Sequence, residues 1–105
     1  MELKLDADRF DDLQPWYVGE LIESIKRDLE AAGIQGEKLK ELCGSIAFSV
    51  CTQIDSSAGF EVDGIEYESL LAFSANSEQP FFPGGNSYLH EYVFGVLGEI
   101  FDNDT

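Results

Sequence analysis

Apolar positions recur at three- and four-residue intervals through Val18, Leu21, Ile22, Ile25, Leu29 and Ala32, while Glu20, Glu23, Arg27 and Glu30 take the opposite side. On a helix these apolar positions share an arc of about 100°, the pattern of an amphipathic helix with one buried face. Pro15 suits the first turn, where its missing N–H costs nothing, and Gly33 suits the stop, where a left-handed residue closes the last turn. The spacing therefore predicts a helix over residues 15–33.

The next segment, GEKLKELCGSIAFSVCTQID, fits two periods. Ile46, Phe48, Val50, Thr52 and Ile54 alternate as a strand would. The helical template also accommodates Leu39, Leu42, Cys43, Ile46, Ala47, Val50 and Ile54 without interruption, and it spans more of the segment. A helix over residues 37–54 is expected. Because Leu42 to Ile54 carries no charge, it should be central and nearly fully buried, with Phe48 and Cys51 facing a second layer.

In FEVDGIEYESL, residues 60–70, two short alternating runs flank Asp63-Gly64. This pair is the strongest short-range hairpin signal, since a type I′ turn needs positive φ at both central positions. A two-residue loop sets Val62 opposite Ile65 and Phe60 opposite Tyr67 on one face, and Glu61 opposite Glu66 on the other. Like charges directly across a strand pair destabilise it by a few tenths to ~1 kcal/mol. Ser69 to Ser74 is expected to extend the second strand or to supply a third.

Residues 75–86, rich in Pro, Gly and Asn, read as a loop. Phe81 and Phe82, between Pro80 and Pro83, either fold back as a plug on the core or stand out as an anchor for a partner. Asn86 or Ser87 then suits the N-cap of a last helix ending near Phe101. Its apolar arc is Leu89, Val93, Val96, Leu97, Ile100 and Phe101, and His90 lies beside Leu97 and Phe94. Gly95 and Gly98, on another face, each cost about 1 kcal/mol relative to Ala, so a close approach by another helix or by a partner's backbone is expected there. The fold class that follows is α+β over one domain, residues 1–105. It comprises two N-terminal helices, a β-hairpin or three-stranded antiparallel meander, and a C-terminal helix packed on one core. The MELKL start adds an edge strand.

Composition supports a folded chain. With 44% apolar residues, eight Phe, four Tyr and one Trp in 105 positions, the chain is richer than a disordered acidic tail. Burial of roughly 65% of its unfolded surface suffices for a single core. No apolar run is long enough to cross a membrane as a helix, and the charged N-terminus does not read as a signal peptide, so a cytoplasmic location is expected. Cys43 and Cys51 lie about 12 Å apart along one helix, too far for a disulfide, and are expected to be reduced and buried. Asn103-Asp104-Thr105 matches the glycosylation pattern, which carries no meaning without secretion.

Charge changes the picture most. All six bases lie in residues 1–40 beside ten acids, whereas residues 41–105 hold eleven acids and no Lys or Arg, so that half carries −11 of the formal −15. Such a field repels nucleic acid and anionic membranes and speeds encounter with basic partners.

Candidate chemistry is sparse. A Cys-His or Ser-His nucleophile needs an adjacent base, and His90 is the sole histidine. On an apolar arc it reads as a hydrogen-bonded core residue or as a pH sensor. No zinc spacing and no phosphate-cradling glycine motif occur, and no cofactor is expected. Carboxylate pairs are abundant without a pattern that singles one out. Asp55, Ser57, Gly59, Val62, Asp63 and Glu66 fall on positions 1, 3, 5, 8, 9 and 12 of a stretch that resembles an EF-hand loop. The resemblance covers these twelve residues and fails at position 6, where Phe60 stands in place of the glycine of the sharp turn. Asp55, Asp63 and Glu66 are therefore only weak metal candidates, and the hairpin explains the same stretch better.

These readings point to a non-enzymatic acidic binding domain with no catalytic residues. Its expected partner is a basic protein, on the pattern of a bacterial immunity or inhibitor protein that covers a nuclease toxin. The expected interface comprises Glu61, Asp63, Glu66, Glu68 and Tyr67, with Phe81 and Phe82 as a second candidate patch and Tyr88 or Tyr92 as further aromatic anchors. The competing class is a homo-oligomeric or regulatory adaptor built on Phe81, Phe82 and the Gly95/Gly98 face. A carboxylate-dependent hydrolase or cation binder ranks third.

Overall fold

The computed structural model describes residues 2–76 and 78–102. Among these residues three helices and two small two-stranded sheets make up an α+β architecture. Asn103 to Thr105 lie outside the described residues.

Helix α1 runs from Ala7 to Ala31 and starts eight residues before Pro15. The Asp6 carboxylate caps it by accepting from the Arg9 N–H at 3.2 Å. Pro15 removes one backbone donor inside the helix. The buried stripe Phe10, Gln14, Val18 and Ile22 carries the helix through that position, because packing along the stripe outweighs one lost bond. At the other end the Gly33 N–H donates to the Glu30 carbonyl at 2.9 Å and the Ile34 N–H to the Leu29 carbonyl at 3.0 Å, a Schellman closure with Gly33 at φ 90°.

Helix α2, Glu37–Ile54, settles the ambiguous segment in favour of the helical period. It buries one stripe, Leu39, Cys43, Gly44, Ala47 and Cys51. The expectation of near-complete burial is corrected, since Ile46 and Phe48 keep 37% of their surface exposed. α1 and the closing segment, residues 89–102, pack on α2 and cover one side of it only. Cys51 belongs to the same core stripe as Cys43, and both thiols are free and buried.

Strands β2 (Phe60–Val62) and β3 (Ile65–Tyr67) form an antiparallel hairpin in the expected register: Phe60 opposite Tyr67, Glu61 opposite Glu66, Val62 opposite Ile65. Asp63 and Gly64 adopt φ of 51° and 81°, both positive as the two-residue turn requires. The hairpin does not continue into a third strand. After Glu68 the chain is seized by the end of α2: the Ser69 hydroxyl donates to the Ile54 carbonyl at 3.0 Å, and its N–H donates to the Ser56 hydroxyl. Further on, Phe73 makes an isolated antiparallel bridge with Phe81.

The second sheet joins the first strand to the Pro80–Pro83 loop. Strand β1, Lys4–Leu5, lies parallel to β4, Phe81–Phe82, with Lys4 N–H on the Pro80 carbonyl at 2.9 Å. Phe81 is buried against Phe73, with the Arg9 guanidinium 4.3 Å from its ring centre, and Phe82 is half-buried. The plug reading of this loop matches that packing, and Phe81 has no surface to offer a partner.

The closing segment is a short 3₁₀ turn, Leu89–Tyr92, followed by α3, Val93–Asp102. It therefore starts later than Asn86 or Ser87. The core consists of Val18 and Ile22 from α1, Leu39, Cys43, Ala47 and Cys51 from α2, and Leu89, Val93 and Leu97 from the closing segment. Within the described residues, no other helix makes the close approach expected at Gly95 and Gly98, and the tight glycine is Gly44. A Cβ on Gly95 would meet nothing within 4 Å and one on Gly98 only the Asp102 carboxylate at 3.8 Å, whereas one on Gly44 would lie 2.9 Å from a Leu97 methyl and 3.4 Å from the Phe94 ring.

Candidate functional site

Two features stand out above this core: a buried polar node that fixes the closing helix, and a hairpin that no other element supports.

The node is centred on Asp55, the residue that ends α2, which is 4% exposed. Its Oδ1 accepts from the Ser87 hydroxyl at 2.5 Å and the Leu89 N–H at 3.0 Å. Its Oδ2 accepts from the His90 N–H at 2.9 Å and the His90 ring Nδ1 at 2.5 Å. The Asn86 side-chain amide adds a bond to the Asp55 carbonyl at 2.7 Å. Burial pushes the Asp55 carboxyl up, but the Ser87 hydroxyl, the His90 N–H and ring, and the Leu89 N–H together outweigh it and hold the pKa below the ordinary value of 3.8. Asp55 thus does the capping expected of Asn86 or Ser87, and does it from another helix. A carboxylate is ill placed at the negative end of α2, but the unpaired N–H groups at the start of the closing segment compensate it. Gln14 supplies the next tie, its side-chain oxygen accepting from the Tyr88 N–H at 2.7 Å and its amide donating to Asp11 at 3.0 Å.

An imidazole oriented by a buried carboxylate is half of a general-base arrangement, and the sequence did not bring Asp55 and His90 together. The other half requires a hydroxyl or thiol at the imidazole. Ser87 instead donates to Asp55, and the Phe48 ring stands edge-on to His90 at 5.9 Å. Burial, and next the Asp55 charge, pushes the Cys51 thiol up to about 11; burial also raises Cys43, with Lys26 opposing and Glu30 and Glu23 adding to the rise. Both thiols are poor nucleophiles in these surroundings.

Asp55 is therefore committed to four donors, while Asp63 and Glu66 stand on the exposed hairpin. Among the described residues no group of three or more His, Cys, Asp or Glu side chains is arranged to hold a metal ion.

The hairpin is the second feature. Every residue from Phe60 to Leu70 is exposed, and among the described elements β2 and β3 pack only on each other. One face carries Phe60 stacked on Tyr67, ring centres 5.6 Å apart, followed by Val62 and Ile65; Phe60 and Ile65 are 52% and 55% exposed. The other face carries Glu61 and Glu66, flanked by Asp63 at the turn and Glu68 at the base. Below Phe60 a groove of 320 Å³, lined by Ile54, Leu70 and Leu71, continues the apolar face to the end of α2. The sheet has two strands, so the outer edge of each is open to a further strand. The structure thus brings Glu61, Asp63, Glu66, Glu68 and Tyr67 onto one arm and sets Phe81 and Phe82 apart in the β1/β4 sheet. Sequence reasoning missed how far the Phe60, Val62 and Ile65 face is exposed. Its alternation signalled a buried side, and nothing local shows that no element covers it.

No family model, curated protein or solved structure matches the chain. Among the described residues no helix is long and apolar enough to cross a membrane.

Proposed function

We propose that this chain is a non-enzymatic, acidic protein-binding domain that grips a basic partner protein with the 60–70 hairpin, in the manner of an immunity or inhibitor protein. The observation that carries this reading is the bare apolar face of Phe60, Val62, Ile65 and Tyr67 on an arm backed by Glu61 and Glu66. Contiguous exposed apolar surface rimmed by charge is characteristic of interaction sites, and aromatic residues dominate their energetics. The carboxylates supply the sign of the partner. A basic surface relieves the repulsion between Glu61 and Glu66, and an enzyme with a basic nucleic-acid cleft belongs to the class that this charge suits. The open strand edges offer main-chain pairing as well.

The test is affinity capture with the wild type and with two hairpin variants, Phe60→Ala/Tyr67→Ala and Glu61→Gln/Glu66→Gln, washed at low and then high salt. Because the hairpin packs on no other element, both variants should keep the wild-type circular dichroism. A basic protein should be retained at low salt and released at high salt, since screening acts over ~8 Å at physiological ionic strength. The aromatic variant should not retain it, and the Gln variant should associate more slowly with a flatter salt dependence. Retention by both variants at the wild-type level removes the hairpin from the interface. A salt-resistant dimer of the chain itself, lost in the aromatic variant, overturns the basic-partner reading in favour of self-association.

A further inference from the structure

A second apolar cleft lies between α1 and α3, remote in sequence from the hairpin and in contact with neither of its strands. Its volume is 390 Å³, within the range of about 300–1,000 Å³ typical of ligand pockets. Gly19 and Val96 form its floor, and a Cβ on Gly19 would stand 3.7 Å from Val96, in ordinary contact. Trp16 forms one wall. At 77% it has the largest exposed fraction among the large apolar side chains of the described residues, an expensive placement for an indole. Glu20, Glu23 and Glu99 form the rim, and among the described residues no basic side chain lines the cleft.

We propose that this cleft is an arginine-binding site, which receives an arginine side chain from a basic polypeptide with its guanidinium stacked on Trp16. Three properties of the cleft match that side chain. The apolar floor accommodates the aliphatic stem, as long basic side chains lay their methylenes along apolar surface. The indole face attracts a planar cation, and Trp is the strongest of the aromatic acceptors. The three carboxylates at the rim accept from the guanidinium N–H fork, which binds carboxylates in a bidentate manner that lysine cannot reproduce. A second copy of this chain does not fit, because its formal charge of −15 would face an acidic rim. This site stands independently of the hairpin, so either can fail without the other.

Trp16 is the single tryptophan in the sequence, so its fluorescence reports the surroundings of this one wall of the cleft, and the Glu99 substitution below ties the signal to the α1/α3 side. The experiment titrates the full chain with an oligoarginine peptide and, separately, with an oligolysine peptide of equal length, following Trp16 emission. The expected result is a saturable change with oligoarginine, with an affinity at least about threefold weaker for oligolysine. The Glu20→Gln/Glu99→Gln variant should weaken oligoarginine binding by about tenfold or more, as loss of charge-assisted hydrogen bonds does. The Phe60→Ala/Tyr67→Ala hairpin variant should titrate as the wild type does. Emission that changes linearly without saturation, equal affinities for the two peptides, or a Gln variant indistinguishable from the wild type overturns the proposal. Loss of the signal in the hairpin variant overturns it too, by placing the peptide on the hairpin.

Discussion

Asp55 Oδ2 holds both the backbone N–H and the ring Nδ1 of His90, a residue 35 positions away, and by doing so one carboxylate couples the end of α2 to the start of the closing helix. An ionised carboxylate only accepts hydrogen bonds, so Nδ1 of His90 is the donor in this contact. With Ser87 and Leu89 on the other oxygen, the side chain is fully used within the fold.

Replacing Asp55 should therefore cost more than replacing an ordinary helix cap. Asp55→Ala leaves four donors without their acceptor in a buried setting, and a loss of about 3 kcal/mol is expected against about 1 kcal/mol for an exposed cap. Urea denaturation followed by circular dichroism checks this. A loss below about 1 kcal/mol would show that the closing helix is held by its apolar stripe alone.

The same node predicts a pH dependence. The folded pKa of Asp55 lies below its ordinary value of 3.8, so the charged form binds better in the folded chain, and the stabilisation is fully present above that value. As the pH falls below 3.8 and through the folded pKa, the stabilisation is lost. The stability gap between wild type and Asp55→Asn should accordingly stay constant near neutrality and shrink below that pH. A gap that widens on acidification contradicts the assigned bonding.

Two glycines on packed helices should respond in opposite directions. Gly95 has open space where a Cβ would stand, so Gly95→Ala should stabilise by about 0.5–1 kcal/mol through helix propensity. Gly44 lies under Leu97 and Phe94, so the bulk of Gly44→Val should force them apart at a cost of about 1–3 kcal/mol. Thermal melts of the two variants decide it. Equal shifts would mean that α2 and α3 are less closely packed than described.

The thiols offer a chemical test of the core. Cys51, pushed up to about 11, and Cys43, raised in the same direction, are both buried. Native protein at about pH 8 should resist iodoacetamide, and both residues should label once denaturant is added. Rapid labelling of either residue in the native state would show that α2 opens locally.

Much of the fold is legible in the sequence because the decisive chemistry is local. Asp63-Gly64 fixes the hairpin register within four residues, since few pairs tolerate two successive positive φ values. The three- and four-residue spacing fixes α1 and α2, because helical geometry converts it directly into a face. The alternating reading of residues 46–54 loses because its strand would have broken a helical stripe that already continued from Leu39.

Tertiary structure decided what those faces meet. The capping of the closing helix by Asp55, the parallel pairing of β1 with β4, and the anchoring of Ser69 to the end of α2, which stops the hairpin, each join residues too far apart in the chain for a local pattern to record. Gly44 has no room for bulk and Gly95 has, although propensity treats them alike, because Gly44 is pressed against Leu97 and Phe94 while Gly95 faces open space. The alternation of Phe60, Val62, Ile65 and Tyr67 determined that these side chains share one face. That the face is left bare was decided by the helices, whose own apolar stripes satisfy one another and leave the hairpin outside the core.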